Sequence, residues 1–172
     1  MSCTKNNFDV ATWQSVVVNA DANKFIEIRE DFGSQELVAD ILGLSNQSLI
    51  SKYENFESDI DDRVYTLFLL FTGEHPHYRL MNRHSEDEVF DNENVPLIVG
   101  QPKGSEIKRI RSLTKLNQTD FAKLWGRCTK GDISKYEKGE RHITSRSWAV
   151  ILLATNQHPN YYLIPRDSEL VG

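Results

Sequence analysis

The pentapeptide Ile-Ser-Lys-Tyr-Glu stands twice in this chain, at residues 50–54 within QSLISKYEN and at residues 133–137 within GDISKYEKG. Self-similarity at a fixed period reveals architecture before any single element can be assigned, so the rest of the repeat is sought first. At the same offset of 83, Gln35 meets Gln118, Ala39 meets Ala122 and Gly43 meets Gly126. His75, Pro76 and Tyr78 likewise meet His158, Pro159 and Tyr161. Residues 33–81 laid on 116–164 without a gap give 18 identities in 49 positions. Upstream, one indel changes the offset to 82 and pairs Ile28-Arg29 with Ile110-Arg111, Phe8-Asp9 with Phe90-Asp91, and Val16–Val18 with Ile98–Gly100. The repeated unit therefore spans about residues 8–81 and 90–164.

Between the units, SEDEVFDNEN is acidic and poor in core residues, which reads as a solvated connection. The expected division is an acidic domain at 1–84, a linker at 85–95 and a basic domain at 96–172. Charge separates the halves: residues 1–101 hold 7 Lys and Arg against 18 Asp and Glu, whereas residues 102–172 hold 13 against 7. A net charge of -5 for the whole chain conceals this contrast, in which only the second half suits a polyanion.

A hydrophobic content of 39% with 26% charged residues belongs to folded globular proteins. The longest apolar runs, around residues 64–71 and 148–154, fall well short of a membrane span, and the amino terminus has no signal pattern, so a cytoplasmic protein is expected. Cys3 and Cys128 have no metal-ligand spacing and read as free thiols. His75, His77 and His158 sit beside prolines, where a turn role is expected rather than a metal. No catalytic constellation, phosphate loop or cofactor motif is found, so neither an enzyme nor a cofactor is expected.

Helical spacing dominates both units, giving an expected mainly all-α fold of two tandem four-to-five-helix domains. Ile107, Ile110 and Leu113 mark a first helix; Asn117 caps a second, QTDFAKLWG, which Gly126 ends. Thr129, or one of residues 45–48 in the first copy, caps a third helix whose Ile133 and Tyr136, or Ile50 and Tyr53, face inward. SRSWAVILLAT and DRVYTLFLLFT form a fourth, largely buried helix. The runs VPLIVGQPKGSE and QSVVVNADAN suit a short strand or extended arm before the first helix. Two short helices joined by a tight turn inside such a bundle are the device that places its second helix in a DNA major groove.

The segments IRSLTKLNQTDFAKLWG and ISKYEKGER resemble the Cro and lambdoid-repressor type of helix-turn-helix, the XRE family, over about 60 residues of each copy. The resemblance implies that base-reading positions fall on Lys130, Gly131, Asp132 and Lys135, with Gln47, Ser48, Leu49 and Lys52 as their first-copy counterparts. It also implies that Gln118, and Gln35 in the first copy, bind a phosphate at the start of the second helix. Arg127, Thr129, Ser134, Lys138, Arg141 and His142 surround the proposed groove-facing end as further phosphate contacts, and Asn46 belongs to the corresponding first-copy set. Arg111 with Glu137, and Arg29 with Glu54, match a structural ion pair of the family that ties the first helix to the third.

The expected function is a sequence-specific transcriptional regulator, a repressor or autorepressor, with the second helix-turn-helix as main reader. The alternative is a protein-interaction module, antitoxin-like or an inhibitor. Double-stranded DNA is the expected partner, and room is left for a homodimer and for a protein partner on the acidic half. Small regulators of this family are common in phages and plasmids, so the resemblance implies a mobile-element setting.

Overall fold

A computed structural model describes residues 16–85, 96–125 and 128–166. The fold is mainly helical, with eight helices and one two-stranded sheet among the described residues. The first unit runs α1 (Ala22–Phe32), α2 (Gln35–Ile41), α3 (Ser48–Glu54), α4 (Asp62–Thr72) and β1 (Tyr78–Asn82). The second repeats it as α5 (Gly104–Thr114), α6 (Gln118–Leu124), α7 (Lys130–Glu137), α8 (Ser145–Ala154) and β2 (Tyr161–Pro165). The linker proposed at 85–95 lies almost wholly outside the described residues.

Short polar side chains start these helices by taking up free backbone N–H groups. Asp21 accepts from the Lys24 amide, Ser34 from Leu37, Asn117 from Asp120, and Thr144 from Ser147. Gly43 closes the turn after α2 at a φ of 63°, a left-handed conformation that favours glycine. Leu113, expected on the inner face of the first helix of its unit, is instead exposed.

The extended runs before α1 and α5 form no strand among the described residues, contrary to expectation. Their backbone groups are taken by side chains: His75 Nε2 bonds the Val16 carbonyl at 2.7 Å, His158 Nε2 bonds that of Leu97 at 2.7 Å, and Thr66 Oγ1 accepts from Val18 N–H. These equivalent contacts pair Val16 with Leu97, one residue away from the pairing with Ile98 expected from sequence. The strands lie after the fourth helices instead, where β1 and β2 pair antiparallel.

The register of that ladder relates the two units. Leu80 faces Leu163, its own counterpart at the repeat offset of 83, and the other pairs exchange symmetrically about it. A pseudo-twofold axis therefore passes between these leucines. The contacts flanking it are reciprocal. Arg83 donates to the His158 and Asn156 carbonyls at 2.7 and 3.0 Å. Its counterpart Arg166 donates to the His75 carbonyl at 2.6 Å and to that of Gly73. Each arginine thus holds the carbonyl end of the other unit's fourth helix, where the helix dipole favours a cation.

On the axis α4 packs against α8. That contact explains why residues 64–71 are all buried: α4 meets its own unit on one side and the other unit on the opposite one. One apolar cluster consequently joins Phe25, Ile50, Phe68 and Leu80 to Ala149, Val150, Leu153 and Tyr161. A second cluster, with Ile110, Phe121, Trp125, Ile133 and Trp148, fills the basic unit. Removing either clamp should therefore weaken the whole fold. Arg83→Ala and Arg166→Ala are each expected to lose about 1.5–3 kcal/mol, the range for hydrogen bonds to a charged group, in denaturant unfolding. Losses of only a few tenths would show that water replaces the clamps.

Candidate nucleic-acid interface

In the second unit, α6 packs on α7 through the buried side chains of Phe121, Ala122, Trp125 and Ile133, leaving the amino-terminal side of α7 outward. Thr129 opens α7 with a reciprocal cap: its hydroxyl accepts from Asp132 N–H at 3.2 Å, and Asp132 Oδ2 accepts from Thr129 N–H at 2.9 Å. Arg141 completes the arrangement, donating to Asp132 Oδ1 at 2.7 Å while its guanidinium lies over the Tyr136 ring. The Thr129 hydrogen bonds, with the charges of Arg141 and Lys135, hold the Asp132 carboxyl below the usual range. The Asp132 carboxylate at this end of α7 is thus compensated by Arg141 within the protein.

Lys130, Gly131, Lys135 and Lys138 are all exposed, and the three lysines form no ion pair among the described residues. A Cβ on Gly131 would meet only Thr129 Oγ1, at 3.6 Å, so packing does not require glycine there. Ser134 is half-buried, and His142 is exposed. Arg127 lies outside the described residues.

The orientation of α7 is fixed from its other end. Arg111 Nε and Nη2 donate to the two Glu137 carboxylate oxygens at 2.5 and 3.2 Å, and Arg111 Nη1 donates to the Leu116 carbonyl at 3.1 Å. Gln118 Nε2 adds a third bond to this carboxylate, at 2.8 Å. The Glu137 side chain is 7% exposed and that of Arg111 17%. Burial alone would push the Glu137 carboxyl up, but bonds from Arg111 and Gln118 and the nearby positive charge outweigh it and hold the pKa down. The amino end of α5 presses on the same place. A Cβ on Gly104 would stand 2.3 Å from the Glu137 carbonyl oxygen, so only glycine permits this approach.

The first unit repeats the tie, with Arg29 bonded to Glu54 and Gln35 Nε2 donating to Glu54 Oε2 at 2.5 Å. Both expected ion pairs are therefore formed. Each glutamine commits one N–H of its amide to the internal carboxylate, which gives Gln35 and Gln118 a structural role beside the phosphate contact expected of them. Asp132, expected as a base-reading position, and Arg141, expected as a phosphate contact, are bonded to each other. In the first copy Asn46, Gln47, Ser48 and Lys52 are exposed while Leu49 is half-buried. Asn46 Oδ1 accepts from Ser48 N–H at 2.9 Å, so Asn46 supplies the cap, and Gln47 makes no side-chain cap bond.

Arg83 and Arg166 were not expected from the sequence. Their signal is the repeat itself, which continues two residues beyond Met81 and Ile164 to pair Arg83 with Arg166. The sequence-proposed turn role of the histidines has a definite form. Nδ1 of His75 accepts from the amides of His77 and Tyr78 at 3.1 and 3.2 Å, so the ring proton lies on Nε2, facing the Val16 carbonyl. No helix among the described residues is long and apolar enough to cross a membrane. Comparison with known proteins finds no matching family model, and no curated protein or solved structure with significant similarity to the chain.

Proposed function

We propose that the chain is a sequence-specific DNA-binding regulator of transcription, of the repressor or autorepressor kind, whose α7 enters a major groove. The observation that carries this is the outer side of α7. Lys130 and Lys135 stand about a turn and a half apart, exposed and in no ion pair among the described residues, on a helix held rigidly by the Arg111–Glu137–Gln118 tie. A lysine there suits the O6 and N7 acceptors of guanine. Lys108, Arg109, Lys115 and Lys138, all exposed, supply positive charge to the same unit for phosphate neutralisation.

Selection of bound sequences from a random duplex pool tests the reading, since a regulator enriches one site whereas a protein-interaction module enriches none. Single substitutions then separate roles. Lys130→Ala should weaken the selected site by about 1–3 kcal/mol and relax preference at one base pair, whereas Lys138→Ala should weaken all sequences alike and lower the salt slope. If Lys130→Ala reproduces the Lys138→Ala pattern, Lys130 is a phosphate contact and another side chain reads the bases.

A further inference from the structure

The pseudo-twofold axis bears on how DNA is engaged. A cavity of about 360 Å³ is lined by Tyr53 and Tyr136, which are counterparts, and by Arg63 and Arg146, which are also counterparts. It straddles the axis, so α3 and α7 both flank the axis on this side of the molecule. A twofold pair of third helices on one side is the arrangement that meets two half-sites, because the protein's symmetry is matched by that of the duplex backbone. Here both helices belong to one chain, and their outward side chains differ. Lys130, Gly131 and Lys135 on α7 are answered by Gln47, Ser48 and Lys52 at α3, all of them exposed.

We infer that a single chain binds a composite operator of two unlike half-sites, with α7 reading one and α3 the other. This rests on the DNA contact proposed above for α7. Lysine suits guanine and glutamine suits the N6 and N7 edge of adenine, so the half-sites differ in base preference as the two helices differ in side chain.

Charge is the obvious objection, since residues 16–85 hold 6 Lys and Arg against 12 Asp and Glu. The carboxylate that lines the axial cavity, Asp61, is paired with Arg63 at 3.4 Å, however. Residues 46–53 contain no carboxylate, and Glu54 is tied to Arg29 and Gln35. The acidic unit can therefore approach base edges without local repulsion, although it has little phosphate attraction of its own. The β1–β2 ladder and the paired arginine clamps hold it beside the basic unit, so its contact becomes intramolecular once α7 has docked. The division of labour follows: the basic unit supplies affinity and one half-site, and the acidic unit supplies discrimination at the other.

The test uses the full chain on three duplexes: the selected operator, and versions with either the α3 or the α7 half-site scrambled. Wild type should bind the operator at least about tenfold more tightly than the duplex scrambled on the α3 side. Gln47→Ala should lose that tenfold on the operator and leave binding to the α3-scrambled duplex unchanged. Lys130→Ala should weaken both of those duplexes. Sedimentation should give one chain per duplex. The inference is overturned if scrambling the α3 side and Gln47→Ala are both silent while Lys130→Ala still acts, or if two chains occupy each operator. Should Lys130→Ala and every scrambled duplex also be silent, the DNA contact of α7 itself fails, and the composite operator with it.

Discussion

Glu137→Ala should destabilise the protein by about 3 kcal/mol, because it removes one partner of a largely buried ion pair and leaves the Arg111 guanidinium without its carboxylate. Gln118 loses its acceptor in the same step. The cost reflects the charge left unpaired more than any large net gain from the pair itself, since desolvation of the two ions offsets much of their attraction. One apolar cluster runs across the pseudo-twofold axis, so the loss is expected in a single shifted unfolding transition rather than in the basic unit alone. Denaturant unfolding measures it. A change below about 1 kcal/mol would mean that the pair behaves as a solvated surface bridge and does not set the angle of α7.

Acidification should produce a loss of comparable size through the two buried histidines. Burial is the main reason that the His75 pKa falls to about 4, offset in part by its bond to the Val16 carbonyl and reinforced by the positive charge of Arg166 and by His77. His158 is shifted the same way, chiefly by burial, with Arg83 adding to the effect. Below the unfolded value of about 6.5 the unfolded chain takes up protons that folded His75 refuses. Stability is therefore complete above that value and falls as the pH drops towards 4. For His75 alone the loss amounts to about 3 kcal/mol. Unfolding measured between pH 7 and 4 should show this slope, and His75→Gln should flatten it. An unchanged slope in the variant would show that His75 does not carry the acid sensitivity.

The repeat, the helix order and the two arginine–glutamate ties were legible because each leaves a local or periodic mark. Ile28-Arg29 and Ile110-Arg111 precede ISKYE at spacings that differ by a single residue, with arginine and glutamate 25 residues apart in the first copy and 26 in the second, and the structure joins them as Arg29–Glu54 and Arg111–Glu137. The strands were not legible in the same way. Residues 78–82 and 161–165 are short and find their partners in the other copy, at the far end of the sequence, whereas the more conspicuous apolar runs before α1 and α5 have their backbone groups claimed by His75, His158 and Thr66. The axis was hidden for the same reason, since a repeat states that two units are alike but not how they face each other. Gln118 shows a different limit. Its place at the start of α6 suits a phosphate and an internal carboxylate equally well, and the bond to Glu137 shows only once that side chain is placed. At α7 the sequence located Lys130 and Lys135 but gave no sign that Asp132 and Arg141 would bond to each other.

The most direct measurement of the central claim is fluorescence anisotropy of the full chain on its selected operator and on an unrelated duplex, at low and moderate salt. The account predicts a preference for the operator of about a thousandfold or more, together with an affinity for both duplexes that falls steeply as salt rises. Equal affinity for the two duplexes, or no binding to either at low salt, would contradict it.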